Sequence, residues 1–529
     1  MSKRLLALAA MSACAGLVLT GCGSNSGAPP KPTTVAATTL THVIDADPDT
    51  LNPALSSRPQ NRIVGCMIYQ GLTRVDKNYK AQPQLAREWT VSPDGKDYVF
   101  TLQKAKWTDG KDLTSKDVVY SLTEVAKLSP SFASANAVID SITAPDDSTV
   151  EIKLKQPFAP FLMSLSCDSG GAAILPSHLF EGTDPATNPA SIQSPVGTGP
   201  FMLKSWQSGS KITLEKNPNY WRKGQPYLEQ VVAKVIPAAN ARVLALLSGE
   251  VDFIYHVWVD RNALAPVEKS PKYQLVNQGP PGDFDMVYNV RNAPYSDVRV
   301  RQALLTAIDR DFIISGPMKG YGAPGSSAIS SELAWAHNPK VDLMKKYPYD
   351  PKAAKALLEK AGYAKGLKVR LSFDAGNPVL QATAEAIASF WKEVGVEAVL
   401  QGSELATALD QVFKQWDFDV SLWGYTSSGD PALGISRLYV STSIAKATYN
   451  NGSGYSNPEV DRLFADGARH TDQKNRIAPY FEVQKILAED VPTVPLIQVP
   501  NIHAGVAGIQ GMFEGLMQYG DWWDGVSLK

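Results

Sequence analysis

Residues that carry chemistry are scarce in this chain. Only 4 cysteines and 6 histidines occur among 529 residues. The histidines, His42, His178, His256, His337, His470 and His503, lie apart, with no two at the spacing of a helical zinc pair. No Cys-x-x-Cys joins them, so the pattern offers neither a metal nor a cofactor a ligand set. A Gly-x-Ser-x-Gly elbow and a Gly-x-x-x-x-Gly-Lys-Ser/Thr phosphate loop are both missing. Gly197-Thr198-Gly199-Pro200 holds two glycines of a dinucleotide turn, but Pro200 and the lack of a third glycine argue against that use. Charge of either sign is not in excess. With 51 basic and 52 acidic residues the formal net charge is −1, which gives no electrostatic ground for a nucleic-acid partner. Beyond Leu19 no run is apolar enough to span a bilayer. An enzyme is not excluded, but it has no visible constellation; paired acids such as Asp146 and Asp147 read as turn chemistry.

The N-terminus carries the strongest local signal. Lys3 and Arg4 precede an apolar stretch from Leu5 to Leu19, which closes on Leu19-Thr20-Gly21-Cys22. This is the three-part grammar of a signal peptide, and its end resembles a bacterial lipobox. Residues 1–21 are expected to be removed and Cys22 to be lipidated, which places the chain on the extracytoplasmic face of a cell membrane, at the surface or in the periplasm. The plainer reading is ordinary cleavage nearby and free secretion. Residues 22–39, rich in Ser, Gly, Pro, Ala and Thr, cannot bury a core and read as a flexible tether.

The roughly 490 residues that follow exceed what one hydrophobic core usually supports, so two or three lobes are expected. Cys66 and Cys167 are the two cysteines of this body; a disulfide and two buried thiols are both open readings. Trp89 to Val91, the turn Ser92-Pro93-Asp94-Gly95 and the alternating Tyr98, Phe100 and Leu102 predict a β-hairpin. A second antiparallel pair is expected from Ile142 and from Val150, Ile152 and Leu154 around Pro145-Asp146-Asp147. Further on, Leu367, Val369, Leu371 and Phe373 alternate as a strand. Leu380, Ala384, Ile387, Trp391 and Val394 then recur at helical spacing up to Gly395, and Val396 to Leu400 resumes as a strand, which is a βαβ unit. Another helix is expected after Asp297. The grammar is that of α/β lobes with an extra β-rich part near the N-terminus.

Read in order, several blocks resemble the family 5 extracellular solute-binding proteins of ABC transporters. They include Asp47-Pro48-Asp49-Thr50-Leu51-Asn52-Pro53, Tyr69-Gln70-Gly71-Leu72, Pro83-Gln84-Leu85-Ala86-Arg87-Glu88-Trp89 and Lys106-Trp107-Thr108-Asp109-Gly110. The series continues through Pro195-Val196-Gly197-Thr198-Gly199-Pro200-Phe201, Asn217-Pro218-Asn219-Tyr220-Trp221, Asp297-Val298-Arg299-Val300-Arg301-Gln302-Ala303-Leu304 and Gly454-Tyr455-Ser456-Asn457-Pro458. Each block is weak alone; their number and order across nearly the whole body carry the resemblance.

The resemblance implies a two-lobed periplasmic-binding-protein-like α/β fold of the class II type. Lobe I would span 40–284, with an extra subdomain at about 54–194, and would be completed by 499–529; lobe II would span 285–498. It implies a monomer that captures a solute between the lobes, an oligopeptide or peptide-like compound, and delivers it to ABC permease subunits. An oligosaccharide receptor of the same family is the alternative, and a lipid-anchored surface hydrolase the more distant one. Ligand contacts would fall on Ser56, Ser57 and Arg58, on Phe284, and on Trp423, Gly424, Tyr425, Thr426 and Ser427. Trp423 is the favoured anchor, with a lobe-core tryptophan as its other reading. Peptide-binding relatives usually carry an aspartate a few residues after this tryptophan to pair with the peptide amino terminus, and here that place falls on Thr426 or Ser427. Asp283 and Asp285 are possible substitutes, with a loop or hinge role as the competing reading. Asp430, beside Pro431, reads as structural.

Overall fold

The computed structural model describes residues 38–56, 58–129, 131–255, 261–278, 282–515 and 522–529. The expected signal segment, Cys22, Ser57 and His256 lie outside the described residues. Two large sheets organise the chain. The first has seven strands in the order Tyr273–Asn277, Ile502–Val506, Phe253–Ile254, Thr39–Ile44, Gln230–Val235, Lys211–Lys216 and Phe201–Gln207. Thr39–Ile44 lies parallel to both its neighbours, and the remaining pairs are antiparallel. The second has six, ordered Ala323–Pro324, Thr493–Val499, Gly282–Tyr288, Val420–Thr426, Leu367–Asp374 and Val396–Ser403. The chain passes from the first sheet to the second between Asn277 and Gly282, and returns between Val499 and Ile502.

The βαβ unit of the second sheet forms where the periodicity requires it. Leu367–Asp374 pairs in parallel with Val396–Ser403 along its full length. The intervening helix Pro378–Glu393 starts at Asn377, whose side chain accepts from the Val379 and Leu380 N–H groups, and Pro378 has no N–H to leave orphaned. Its buried face is Leu380, Thr383, Ala384, Ile387 and Trp391, and the Trp391 indole donates to the Leu304 carbonyl at 2.9 Å. Gly395, at φ +84°, supplies the left-handed turn that stops the helix. The helix after Asp297 is Val298–Thr306, capped by Asp297; Arg301 ties it to the Tyr295 carbonyl at 2.7 Å and the Asp490 carbonyl at 3.0 Å.

Both antiparallel pairs near the N-terminus join one four-stranded sheet, Ala86–Val91, Asp97–Leu102, Thr149–Leu154 and Ile139–Asp146. Tyr98, Phe100 and Leu102 point inward from alternate positions and share a core with Trp107, Val150, Ile152 and Leu154. This is the extra β-rich layer of the first lobe. Beside it, Cys66 on the helix Pro59–Ile68 and Cys167 are joined in a disulfide, with Cα atoms 5.8 Å apart, and both are buried in the first lobe's core. The C-terminus is fastened to the same lobe, where the Asp524 carboxylate accepts from Arg74 at 3.2 Å, from Arg222 at 3.0 Å and from the Tyr220 hydroxyl at 3.1 Å.

Candidate functional site

The two strands in the middle of the second sheet position the site. Gly282–Tyr288, the first strand after the crossing, runs antiparallel to Val420–Thr426, with Asp283 opposite Tyr425, Phe284 opposite Gly424 and Asp285 opposite Trp423. Alternation sends neighbours to opposite faces. Phe284, Met286, Tyr288, Val420 and Leu422 enter the core beneath the helices Val298–Thr306 and Pro378–Glu393. Val287, Trp423 and Tyr425 join a separate cluster with Phe413, Tyr439 and Tyr455, and Asp283 and Asp285 share that face by register. The candidate set of the sequence reading is therefore divided between the two faces of one sheet.

On the other side of Gly282–Tyr288, the strand Thr493–Val499 pairs with a shift of register between Phe284 and Asp285, so Phe284 faces Ile497 while Asp285 faces Pro495. Proline offers no N–H to the ladder, and the resulting bulge bends the strand where Asp285 leaves it. A small cavity opens there. Asp283, Asp285, Tyr425, Thr426, Ser427 and Tyr439 are its polar lining, with Ala328, Ile435, Leu438 and Pro495 as the apolar wall. Its free volume, about 10 Å³, admits roughly one water-sized group.

The electrostatics of this cavity are unusual. Asp285 is 3 % exposed, and its Oδ1 has no hydrogen-bond partner among the described residues. Burial, reinforced by the neighbouring Asp283 charge, pushes its carboxyl well above the ordinary range. Asp283 is pushed up to about 7, again by burial first and then by the Glu332 charge. Burial also raises the Tyr425 and Tyr439 phenols, which stay neutral donors; Tyr439 donates to the Thr493 carbonyl at 3.3 Å. Among the described residues no group of three or more His, Cys, Asp or Glu side chains is placed to hold a metal ion.

Other members of the candidate set stand elsewhere. Trp423 is 2 % exposed, its ring 5.2 Å from Phe413 and 6.2 Å from Tyr449, with its indole N–H buried and unpartnered among the described residues. Phe284 is buried against Gly424 on the opposite face. Ser56 and Arg58 sit before the helix Pro59–Ile68; Arg58 is exposed and pairs with Asp49 at 3.5 Å, and neither lines the cavity. Thr426 and Ser427 do line it, and from there the chain runs to the first lobe. A Cβ on Gly429 would meet the Tyr79 ring at 2.5 Å, and Ala432 is buried in the core of the four-stranded sheet. The lobes touch again where the Ala159 N–H donates to the Ala468 carbonyl at 2.7 Å. Asp430 is paired with Arg476, which accounts for it as a structural residue. Tyr439, Leu438 and Ala328 were not marked by the sequence; Asp283 and Asp285 carried a signal in their alternate spacing.

Residues 80–446 match the model of the bacterial extracellular solute-binding proteins, family 5. The chain belongs to this family. It is 30% identical over 478 residues to the oligopeptide-binding protein AppA of Bacillus subtilis, covering 86% of this chain and 85% of that one. It is 27% identical over 488 residues to the glutathione-binding protein GsiB of Salmonella typhimurium, covering 90% and 92%. Among solved structures, AppA in complex with a nonapeptide superposes with a TM-score of 0.80 at 28% identity, over 91% of this chain and 97% of AppA. The ABC transporter-associated periplasmic binding protein DppA of Helicobacter pylori, in complex with the peptide STSA, superposes with a TM-score of 0.81 at 25% identity, over 93% and 98%. The fold is thus the two-lobed α/β architecture of periplasmic binding proteins, and the chain is an extracellular solute-binding protein. No helix among the described residues is long and apolar enough to cross a membrane.

Proposed function

We propose that this chain captures an oligopeptide or peptide-like solute between its lobes and hands it unchanged to an ABC importer, acting as a monomeric receptor rather than an enzyme. Family membership and the peptide complexes of AppA and DppA support the solute class. The observation that carries the reading is the placement of the cavity. It lies on the strand by which the chain enters the second lobe, beside the segment that leaves for the first. All of its lining belongs to the second lobe, and its free space is far below the several hundred Å³ that a drug-sized ligand fills, so it would hold at most one end of a solute captured between lobes that part and close. Ligand that contacts both lobes then shifts the population toward the closed form that a permease recognises.

The lobe division proposed from sequence, 40–284 with 499–529 against 285–498, is supported by the sheet membership, which favours placing the first crossing between Asn277 and Gly282. Signal cleavage before Cys22 and lipidation of that cysteine are proposed to hold the receptor at the extracytoplasmic face of the cell membrane. Native mass spectrometry of the protein purified from its own host tests the central reading. An intact co-purifying peptide-like compound is expected; recovery of a cleaved or otherwise converted product on incubation with peptide or oligosaccharide mixtures would replace the receptor by a hydrolase.

A further inference from the structure

The first lobe reaches across to the second with an aromatic knob. Between the short strands Thr73–Val75 and Ala81–Pro83 the chain turns through Asp76-Lys77-Asn78-Tyr79-Lys80. The Asp76 carboxylate ties this turn together, accepting from the Asn78 N–H at 2.8 Å, the Lys80 N–H at 3.0 Å and the Gln82 side chain at 2.7 Å. The C-terminal part of the same lobe braces it from behind: the Lys77 N–H donates to the Glu514 carbonyl at 3.2 Å, and the Trp522 indole donates to the Val75 carbonyl at 2.9 Å. Tyr79 has φ +59°, a left-handed conformation that costs a non-glycine residue free energy and persists where the surroundings hold it.

What the Tyr79 ring meets belongs to the second lobe. It packs against the cluster that contains Tyr425, Ile435 and Leu438, and it crosses so close over Gly429 that a Cβ there would lie 2.5 Å from its Cδ1. Val75 and Met163 of the first lobe and Leu433 of the second complete the apolar contact around it. Burial first, and then the charge of the second-lobe residue Glu332, push the Tyr79 phenol up to about 12, so the hydroxyl stays neutral inside the contact. The receiving segment is held as firmly as the turn. Gly429 has φ +81° and follows Ser428 at φ +51°, and Asp430 is fastened to Arg476. Glycine alone both takes that conformation easily and leaves room for the ring. The extra subdomain touches the second lobe twice more, through the Ala159 N–H on the Ala468 carbonyl and at the hairpin turn, where a Cβ on Gly95 would meet the Thr471 methyl at 2.7 Å.

We propose that the extra subdomain of the first lobe is a clasp, with Tyr79 as its knob and Gly429 as the hole that receives it, and that it keeps a fraction of the protein closed in the absence of solute. The clasp presupposes the two-lobed receptor and works on whichever solute is captured. Every group in it belongs to the chain, so burial of the ring stabilises the closed form whether or not the cleft is filled. A solute shifts the equilibrium only by the difference between its affinities for the two forms, and its apparent affinity is reduced by the fraction of protein not in the competent one. Contacts that the protein makes with itself on closing raise that fraction beforehand. They lend the same factor to every solute, and selectivity is left to the residues inside the cleft.

The test needs no ligand. Nitroxide labels on Glu151→Cys in the extra subdomain and Ser389→Cys on the helix Pro378–Glu393 report the distance between the lobes by pulsed electron resonance. The protein is first stripped of solute by unfolding and refolding with its disulfide intact. Two distances are expected, and Tyr79→Ala should lower the ratio of closed to open form about 10-fold or more. Tyr79→Phe, which keeps the ring, should retain the closed fraction. Gly429→Ala should abolish it, because the added methyl group collides with the knob, and Tyr79→Ala placed on top of Gly429→Ala should relieve that collision and return the ratio to that of Tyr79→Ala alone. A thermal midpoint unchanged in Tyr79→Ala separates loss of the clasp from loss of the fold. A stripped protein that is wholly open, or closed fractions equal in all the variants, overturns the clasp. Neither result touches the receptor reading, which stands or falls on the solute carried by protein from its own host.

Discussion

Asp430 and Arg476 form a buried two-pronged ion pair, with Nη1 at 2.8 Å and Nη2 at 2.7 Å from the two carboxylate oxygens. The pair pins the segment that leaves the inner strand at Thr426 to the long helix Gln473–Asp490, and the Tyr480 hydroxyl lies 3.1 Å from the same guanidinium. Because the fork geometry fixes direction as well as distance, it sets where Thr426 and Ser427 stand in the cavity.

Removing the cation alone should therefore be severe. Arg476→Met is expected to lower the unfolding free energy by about 3–5 kcal/mol, since it strands a buried carboxylate. Pairing it with Asp430→Leu should recover part of that loss. Urea titrations of the two variants give the comparison, and equal destabilisation by both would show that the pair has no coupling.

Trp423 separates stacking from packing. At 2 % exposure and in contact with Phe413 and Tyr449, its truncation should leave a cavity in the lobe core. Trp423→Ala is expected to cost about 3–5 kcal/mol of stability. A thermal midpoint that stayed put while solute affinity fell would instead identify the ring as a ligand platform.

The Cys66–Cys167 disulfide closes a loop between residues 101 apart, so its loss should be felt mainly through the unfolded chain. The double variant Cys66→Ser, Cys167→Ser is expected to lose about 4–5 kcal/mol by the loop-entropy account. Denaturation in the presence and absence of reductant measures it on the unaltered protein.

The stability of the ligand-free protein should carry the mark of the buried acids. Asp283 keeps its proton up to about pH 7 when folded, against about 4 when unfolded. Its folded pKa is raised, so the folded state holds more protons across that window. The contribution is present below about pH 4, falls away as pH rises toward 7, and changes no further above it. Glu332 and Asp285, also raised by burial, add in the same sense. Urea midpoints at several pH values should decline from acid toward neutral, and Asp283→Asn should flatten the decline.

The proposed lipid anchor rests on one residue. Cys22→Ser should release the protein from the membrane fraction without changing solute affinity, which fractionation and calorimetry report separately. Retention of the variant at the membrane would assign the anchor to something other than Cys22.

The sequence made some features legible because they rest on local rules. The βαβ unit from Leu367 to Ser403 shows a change of period from alternate to helical and back, punctuated by Asn377 and Gly395, and each signal has its counterpart in the structure. The hairpin around Ser92-Pro93-Asp94-Gly95 is legible for the same reason. Pairing of Cys66 with Cys167 was not, since it depends on a Cα separation of 5.8 Å created by two distant helices. Nor was the burial of Trp423, because a stacking platform and a core ring share the same apolar flanks, and only the arrival of Phe413 and Tyr449 decides the environment. Asp283 and Asp285 have the spacing of one strand face, but Gly279-Pro280-Pro281-Gly282 immediately before them suggests a loop, which hides the strand they begin.

The position of Ile502–Val506 in the first sheet, between Tyr273–Asn277 and Phe253–Ile254, has a consequence for synthesis. On the ribosome and during export, the first lobe is emitted early but lacks an interior strand until the last few dozen residues emerge. The second lobe is contiguous between the two crossings, and its own last strand, Thr493–Val499, is complete just before Ile502–Val506 emerges. Domains generally fold as units, so the lobe that comes later in the chain should reach its native state first. Until then the earlier one waits with Phe253–Ile254 and Tyr273–Asn277 unjoined and open to wrong partners. A released chain that ended near residue 500 would thus yield a folded second lobe attached to an aggregation-prone first.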